Sequence, residues 1–204
     1  MGEMRPVILK GEKVSLAILL RDDLKKSWEW FNERSTVRNL FNSSYFTLPE
    51  EEEEFYEELK KNKEKSPTFA VIENESGKLV GIAGFNWINW QARWGEILYY
   101  LSPEERWKGY GTETVKLLCE YAFAHLNLRK VWAKVHANNK ASIRVLEKNG
   151  FTLAGRLREH IWSDGKYLDE LIYERFRGNT NTLQNNPNRK TIYNSNSKNH
   201  RGFP

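Results

Sequence analysis

The spacing of apolar residues divides this chain into strand-like and helix-like segments. Alternating apolar positions over 7–20 predict one or two strands. Later apolar runs bounded by turn residues predict six further strands: 69–72, 79–88, 96–101, 130–137, 152–161 and 166–176. Helical spacing appears in the segment with Leu24, Trp28 and Phe31, in the stripe 115, 118, 119, 122 and 126, and before 149. This order predicts a mixed sheet with helices on both faces, which is the α/β (α+β) class.

A strongly charged helix is predicted between the first strands and the strand at 69–72. Thr47 to Glu50 has a capping-box pattern with a proline in the first turn, and five glutamates occupy 50–54. Lysines lie at the far end of the same segment, so the charge order complements the helix dipole. This pattern favours a solvated helix face, and an acidic docking patch for a cationic substrate is compatible with it.

Length and composition favour a single globular domain. The chain has 204 residues, of which 39% are hydrophobic and 29% charged. No apolar run approaches the roughly 18 residues of a membrane span, and the N-terminus has no signal-peptide pattern, so we expect a cytoplasmic protein. The single Cys119 cannot form an internal disulfide, and its place on a predicted apolar helix face favours a buried residue over a nucleophile. No Cys/His cluster predicts a metal site.

The net charge of +5 comes mostly from the C-terminal segment 178–204. This segment contains four of the basic residues and no acidic residue, and it is rich in Asn and poor in apolar residues. We therefore predict a folded domain at 1–177 and a disordered basic tail at 178–204. Nucleic-acid binding is not expected except through this tail.

A glycine-containing loop between a predicted strand and a predicted helix carries the strongest chemical signal. The loop reads Arg106-Trp107-Lys108-Gly109-Tyr110-Gly111-Thr112. Because backbone N–H groups in the first helical turn have no intrahelical partner, such a loop favours a phosphate or pyrophosphate ligand. The glycine spacing fits neither a Walker loop nor the dinucleotide-binding fingerprint.

The motif Arg-x-x-Gly-x-Gly resembles the acyl-CoA pyrophosphate loop of the GNAT superfamily of N-acetyltransferases. A second signature of that family, Asn-x-x-Ser followed by a helix ending in Gly-Phe, is matched by Asn139, Ser142, Gly150 and Phe151. The resemblance covers 7–177, and its branch is that of the ribosomal-protein N-terminal and spermidine acetyltransferases. It implies a single GNAT-like domain whose mostly antiparallel sheet contains a splayed pair of central strands.

The resemblance also implies a set of residues that bind acetyl-CoA. The pantetheine arm would lie between the splayed strands and bond to the first strand at Tyr99 and Leu101, with Asn139 and Ser142 on the opposite side. The pyrophosphate would bind the loop residues Arg106, Trp107, Lys108, Gly109, Tyr110, Gly111 and Thr112. Trp107 stands where many relatives have glycine, which leaves open either an altered loop conformation or a cover for the cofactor.

Catalysis requires a general base, because an amine is nucleophilic only when neutral. The resemblance places Glu96 at the position of that base, with an exposed strand carboxylate or an acceptor-docking charge as alternatives. His136 is the other candidate, with a purely structural role as its alternative. Many relatives use a tyrosine as the proton donor to the departing thiolate, and Leu146 occupies its place here. The resemblance therefore implies Ser142 as the donor, with helix capping as the alternative role.

We therefore expect an enzyme that transfers the acetyl group of acetyl-CoA to a primary amine. The acceptor expected from the resemblance is a protein or peptide α-amino group, with a polyamine or another small amine as the alternative. A non-catalytic acyl-CoA-binding module is the alternative outside enzymes. The sequence leaves monomer and homodimer equally open.

Overall fold

The computed structural model describes residues 5–40 and 46–178, which build an eight-stranded sheet. The sheet order is β1-β2-β3-β4-β5-β6-β8-β7, and only β5 and β6 run parallel to each other. The predicted mixed, mostly antiparallel sheet is confirmed. The strands are β1 Val7–Lys10, β2 Val14–Ile18, β3 Thr68–Glu73, β4 Leu79–Asn89, β5 Trp94–Leu101, β6 Lys130–His136, β7 Thr152–Ser163 and β8 Lys166–Phe176.

Helices cover both faces of this sheet. They are α1 Arg21–Phe31, α2 Arg34–Leu40, α3 Pro49–Asn62, α4 Tyr110–Glu120 and α5 Lys140–Lys148. The apolar stripe of α4, including Val115 and Leu118, packs in the larger core with Phe85 and Val131. On the opposite face, α1 contributes Leu24 to a second core. A π turn, Tyr121–His125, continues α4, and no helix in the described ranges is long and apolar enough to cross a bilayer.

The two central strands separate part of the way along the sheet, as the family resemblance implies. Backbone pairing between β5 and β6 covers only Trp94–Glu96 against Lys130–Trp132. Beyond this point β5 stays paired with β4 as far as Leu101, and β6 stays paired with β8 as far as His136. The gap between them therefore exposes strand backbone that an extended ligand can use.

Two local predictions differ from the structure. The helix cap predicted at Thr47 lies one residue later, because the Glu51 carboxylate accepts the N–H of Leu48 at 2.6 Å and α3 begins at Pro49. The Thr47 carbonyl instead accepts the indole N–H of Trp28. Helix α2 was not predicted at all, since its sequence has no apolar stripe and its contacts are largely polar.

The predicted tail 178–204 lies outside the described residues except for Gly178. The domain boundary at 177 therefore stays a prediction.

Candidate active site

The glycine loop presents free backbone donors at the start of α4. Among the described hydrogen bonds, none engages the backbone N–H groups of residues 107–111. The first bonded N–H groups are those of Thr112 and Glu113, which donate to the Gly109 carbonyl. A run of such backbone donors at a helix N-terminus favours an anion.

Two residues of the loop adopt left-handed backbone conformations. Gly109 caps α4 with φ 88°, a region that L-residues other than glycine enter at a cost of about 1–2 kcal/mol. Trp107 has φ 70°, so it takes the glycine-type conformation despite its side chain, which is 84% exposed. The loop conformation is therefore glycine-like at 107, and the indole stands beside it in solvent.

Gly111, in the first turn of α4, lies against side chains of β5 and α5. A Cβ atom built on Gly111 would lie 3.6 Å from Leu101 Cδ1, 3.7 Å from Tyr99 Cε2 and 3.7 Å from Val145 Cγ2. These are ordinary contact distances, so protein packing alone does not require glycine at this position. Because the fold itself would accept alanine here, glycine at this position is consistent with close approach of a ligand to the backbone.

The basic residues around the loop have different partners. The Arg106 guanidinium donates to Ser35 Oγ at 2.7 Å and to Thr36 Oγ1 at 2.6 Å on α2. Lys108 Nζ bonds Glu105 at 2.7 Å. Lys13, from the turn between β1 and β2, reaches the Lys108 carbonyl at 3.3 Å and lies 3.6 Å from a Cβ built on Gly109.

Lys13 is thus a cation beside the loop that the sequence did not reveal. It is 95 residues from Lys108 along the chain, and no local pattern indicates the contact. The side chain of Arg106 is tied to α2, so its predicted role at the cofactor stays a prediction.

A pair of hydroxyl groups bridges the gap beyond Gly111. The Tyr99 hydroxyl on β5 and the Ser142 hydroxyl at the start of α5 share a hydrogen bond of 2.8 Å. Burial raises the pKa of Tyr99 to about 12, so the phenol keeps its proton at neutral pH. Asn139 caps α5, because its Oδ1 accepts the N–H of Ser142. The capping role considered for Ser142 therefore belongs to Asn139.

Glu96 lies where the strands begin to separate. Its side chain is 13% exposed, and Oε1 lies 3.6 Å from Lys134 Nζ and 3.4 Å from Asn86 Nδ2. Its register partners are Trp87 on β4 and Trp132 on β6. The carboxylate is thus reachable from solvent within aromatic surroundings.

His136 is in a different situation at the end of β6. It is 4% exposed, and its Nδ1 atom has no hydrogen-bond partner among the described residues. Burial lowers the pKa of His136, while the Glu170 carboxylate and a hydrogen bond to the Arg38 backbone oppose that shift. The imidazole is therefore neutral near pH 7, but a bulky acceptor cannot reach its free nitrogen in this conformation.

Cys119 does not supply a nucleophile. The side chain is buried in the larger core, and burial raises the pKa of its thiol to about 11. No group of three metal-ligating side chains forms within 5–40 and 46–178.

Comparisons with known proteins find a matching family and similar proteins. The acetyltransferase (GNAT) domain family matches residues 16–152. The chain is 27% identical to a spermidine N(1)-acetyltransferase of Vibrio cholerae over 159 residues, which are 78% of this chain and 90% of that protein.

Two solved structures share the fold. A spermidine N-acetyltransferase from Vibrio cholerae, in complex with CoA and spermine, superimposes with a TM-score of 0.73 at 24% identity, over 81% of this chain and 96% of that one. RimL, a ribosomal α-N-protein acetyltransferase in complex with coenzyme A, gives 0.75 at 18% identity, over 83% and 97%. At these identities the likeness establishes the fold.

The family match spans more than half of the chain and includes the glycine loop and the Asn-x-x-Ser segment. The alternative of a non-catalytic binding module is therefore set aside. This chain belongs to the GNAT family and is an acetyl-CoA-dependent N-acetyltransferase.

Proposed function

We propose that the acceptor is the α-amino group of a protein or peptide. The observation that carries this proposal is the hydroxyl pair of Tyr99 and Ser142 across the gap. A serine donor at the start of α5 is the feature that the resemblance associates with the ribosomal-protein branch. Leu146, at the position of the tyrosine of many relatives, is fully buried and offers no proton.

The acetyl donor would bind along the gap and the glycine loop. The free N–H groups of residues 107–111 would hold the pyrophosphate, and Lys13 would add positive charge beside them. The strand backbone at Tyr99 and Leu101 would hold the pantetheine arm. The Asn139 amide nitrogen remains able to donate to the same arm, because only its oxygen is used in capping.

Glu96 would act as the general base. The acceptor ammonium gives a proton to the carboxylate, the neutral nitrogen forms a bond to the acetyl carbonyl carbon, and the carbon–sulfur bond breaks. The thiolate takes a proton from Ser142, and Tyr99 can resupply the Ser142 hydroxyl through their shared hydrogen bond. The nitrogen of the new amide would give up its second proton to restore this pair. The proton held by Glu96 is then the one released overall. Accessibility favours Glu96 over His136, whose free nitrogen is buried.

A polyamine is the second candidate acceptor. The observation in its favour is the similarity to the spermidine N(1)-acetyltransferase over most of both chains. The glutamates at the start of α3 add negative charge near one face of the sheet, which would attract a polycation.

Steady-state acetyl-CoA consumption with a panel of peptides and with spermidine tests these proposals. We expect kcat/KM to be highest for a peptide with a free α-amino group and to vanish when that group is blocked. Higher kcat/KM for spermidine than for every peptide would assign the polyamine function instead. Ser142→Ala and Tyr99→Phe should each lower kcat, and the effects should not add, because the two hydroxyls act through one proton path.

A further inference from the structure

A lysine of the chain itself lies against the carboxylate proposed as the base. Lys134 Nζ is 3.6 Å from Glu96 Oε1 and 5.5 Å from the centroid of the Trp132 ring. Glu96 and Trp132 are register partners at the last paired position of β5 and β6. The lysine ammonium therefore lies at the point where the gap between the strands opens.

Two more indole rings extend the wall around this carboxylate. Trp87 packs edge-on against Trp94 with the ring centroids 4.9 Å apart, and Trp94 packs in the same way against Trp132 at 5.9 Å. Trp87 is also the register partner of Glu96 on β4, and it is 48% exposed. We call this group, Trp87, Trp94 and Trp132 around Glu96, the tryptophan recess.

The tryptophan recess has the chemistry that recognises an alkylammonium ion. Indole faces attract cations through the ring quadrupole, and the Glu96 carboxylate adds a full negative charge. Lys134 shows that an ammonium on an unbranched alkyl chain fits between carboxylate and ring, because its own side chain is held there.

We propose that Lys134 is an internal competitor for the acceptor ammonium in the tryptophan recess and thereby limits acceptor affinity. This inference rests on the proposed function, in which the acceptor gives its proton to Glu96. An acceptor ammonium needs the same carboxylate, and two cations within a few ångströms of each other repel. Lys134 must therefore leave before the acceptor binds.

The displacement of Lys134 is inexpensive. Its side chain is 44% exposed, so the ammonium can move into water without being trapped. The Glu96 carboxylate is 13% exposed, but an ion pair with one half-exposed partner contributes little to stability, and the contact with one ring adds a comparable amount. The lysine thus weakens acceptor binding without preventing it.

The kinetic test removes the ammonium and keeps the side chain. Lys134→Met retains an unbranched apolar chain, and we expect the acceptor KM to fall about 3- to 30-fold with little change in kcat. Lys134→Arg keeps the charge and should leave KM near that of the wild type. Whichever amine the wild-type enzyme turns over best serves as the acceptor.

The chain offers a matched control on the same strand. Lys130 Nζ lies 3.2 Å from Glu174 Oε2 and 5.7 Å from the centroid of the Phe176 ring, so it has the same kind of partners away from Glu96. Lys130→Met should leave the acceptor KM unchanged. A KM that falls equally in both variants would show a general charge effect and overturn the proposal. An increase in KM for Lys134→Met would show that the lysine helps to hold the acceptor, and would also overturn it.

A binding measurement separates this inference from the proposed function. Butylammonium chloride is titrated into ¹⁵N-labelled protein, and the indole N–H signals of the tryptophan recess are followed by NMR, with butan-1-ol as the uncharged control. We expect tighter butylammonium binding to Lys134→Met than to the wild type, and no effect of Lys130→Met. If no amine supports acetyl-CoA consumption, the proposed function is refuted, but the butylammonium titration still tests the role of Lys134. Equal butylammonium affinity in the wild type and in Lys134→Met would refute the proposal that Lys134 competes with the acceptor.

Discussion

Replacement of Gly111 by alanine should change stability and cofactor affinity in opposite directions. Gly111 is in the first turn of α4, and alanine in a helix is more stable than glycine by about 0.5–1 kcal/mol. A Cβ at this position meets Leu101, Tyr99 and Val145 at 3.6–3.7 Å, so nothing in the protein needs to move. We expect Tm to rise by about 1–4 °C for a domain of this size.

The same methyl group would lie beside Tyr99 and Leu101, the two residues whose backbone is proposed to hold the acetyl donor. Filling a well-packed site typically costs about 1–3 kcal/mol, which corresponds to a loss of CoA affinity of about 5- to 150-fold. Calorimetric unfolding without ligand gives the first quantity, and isothermal titration with CoA gives the second. A stabilised Gly111→Ala variant with an unchanged CoA Kd would refute the assignment of this gap to the cofactor.

Gly109→Ala is the matched control for this experiment. Gly109 has φ 88°, so any side chain there costs about 1–2 kcal/mol of backbone strain. We expect this variant to lose stability as well as CoA affinity. Opposite changes in stability for these two variants would show that backbone strain acts at 109, whereas the loss of CoA affinity at 111 comes from the added methyl group.

Three further outcomes are expected. Glu96→Gln should lower kcat near neutral pH by about 10²- to 10⁴-fold, with partial recovery at high pH and an unchanged CoA Kd. Near wild-type turnover across pH 6 to 9 would exclude Glu96 as the base. Arg106→Ala should lower the free energy of unfolding by about 1–3 kcal/mol, because Ser35 and Thr36 lose a charged hydrogen-bond donor. An unchanged Tm together with a large loss of CoA affinity would instead assign the guanidinium to the cofactor. Burial raises the pKa of Glu52 from 4.5 to about 7, so the free energy of unfolding of the wild type falls as pH rises from 4.5 to 7. Relative to the wild type, Glu52→Gln should therefore become more stable over this range, by at most about 3 kcal/mol above pH 7. A stability difference that does not change with pH in thermal melts would contradict this.

Local features of the site could be predicted from the sequence. The glycine loop, the helix that follows it and the Asn-x-x-Ser turn are set by residues within a few positions of each other, and the structure places each of them where the pattern indicated. The separation of β5 and β6 came from the family resemblance, and the pairing of only three positions on each strand confirms it. The predicted roles of individual residues in catalysis remain predictions.

Contacts between distant segments were decided only by the tertiary structure. The pairing of Tyr99 with Ser142, of Lys134 with Glu96 and of Arg106 with α2 joins side chains 38 to 71 residues apart. Helix α2 has too little apolar periodicity to be recognised alone, because polar partners from other elements hold it.

The physical reason for this division is the range of the interactions. Helix and loop propensities act through backbone geometry within about one turn, so they can be read from a short stretch of sequence. The partner of a strand side chain depends on register, and a shift of one residue turns it to the other face of the sheet. The sequence by itself determined that a glycine-containing loop precedes a helix, and only the assembled sheet decided which hydroxyl, carboxylate and ammonium lie near the separating strands.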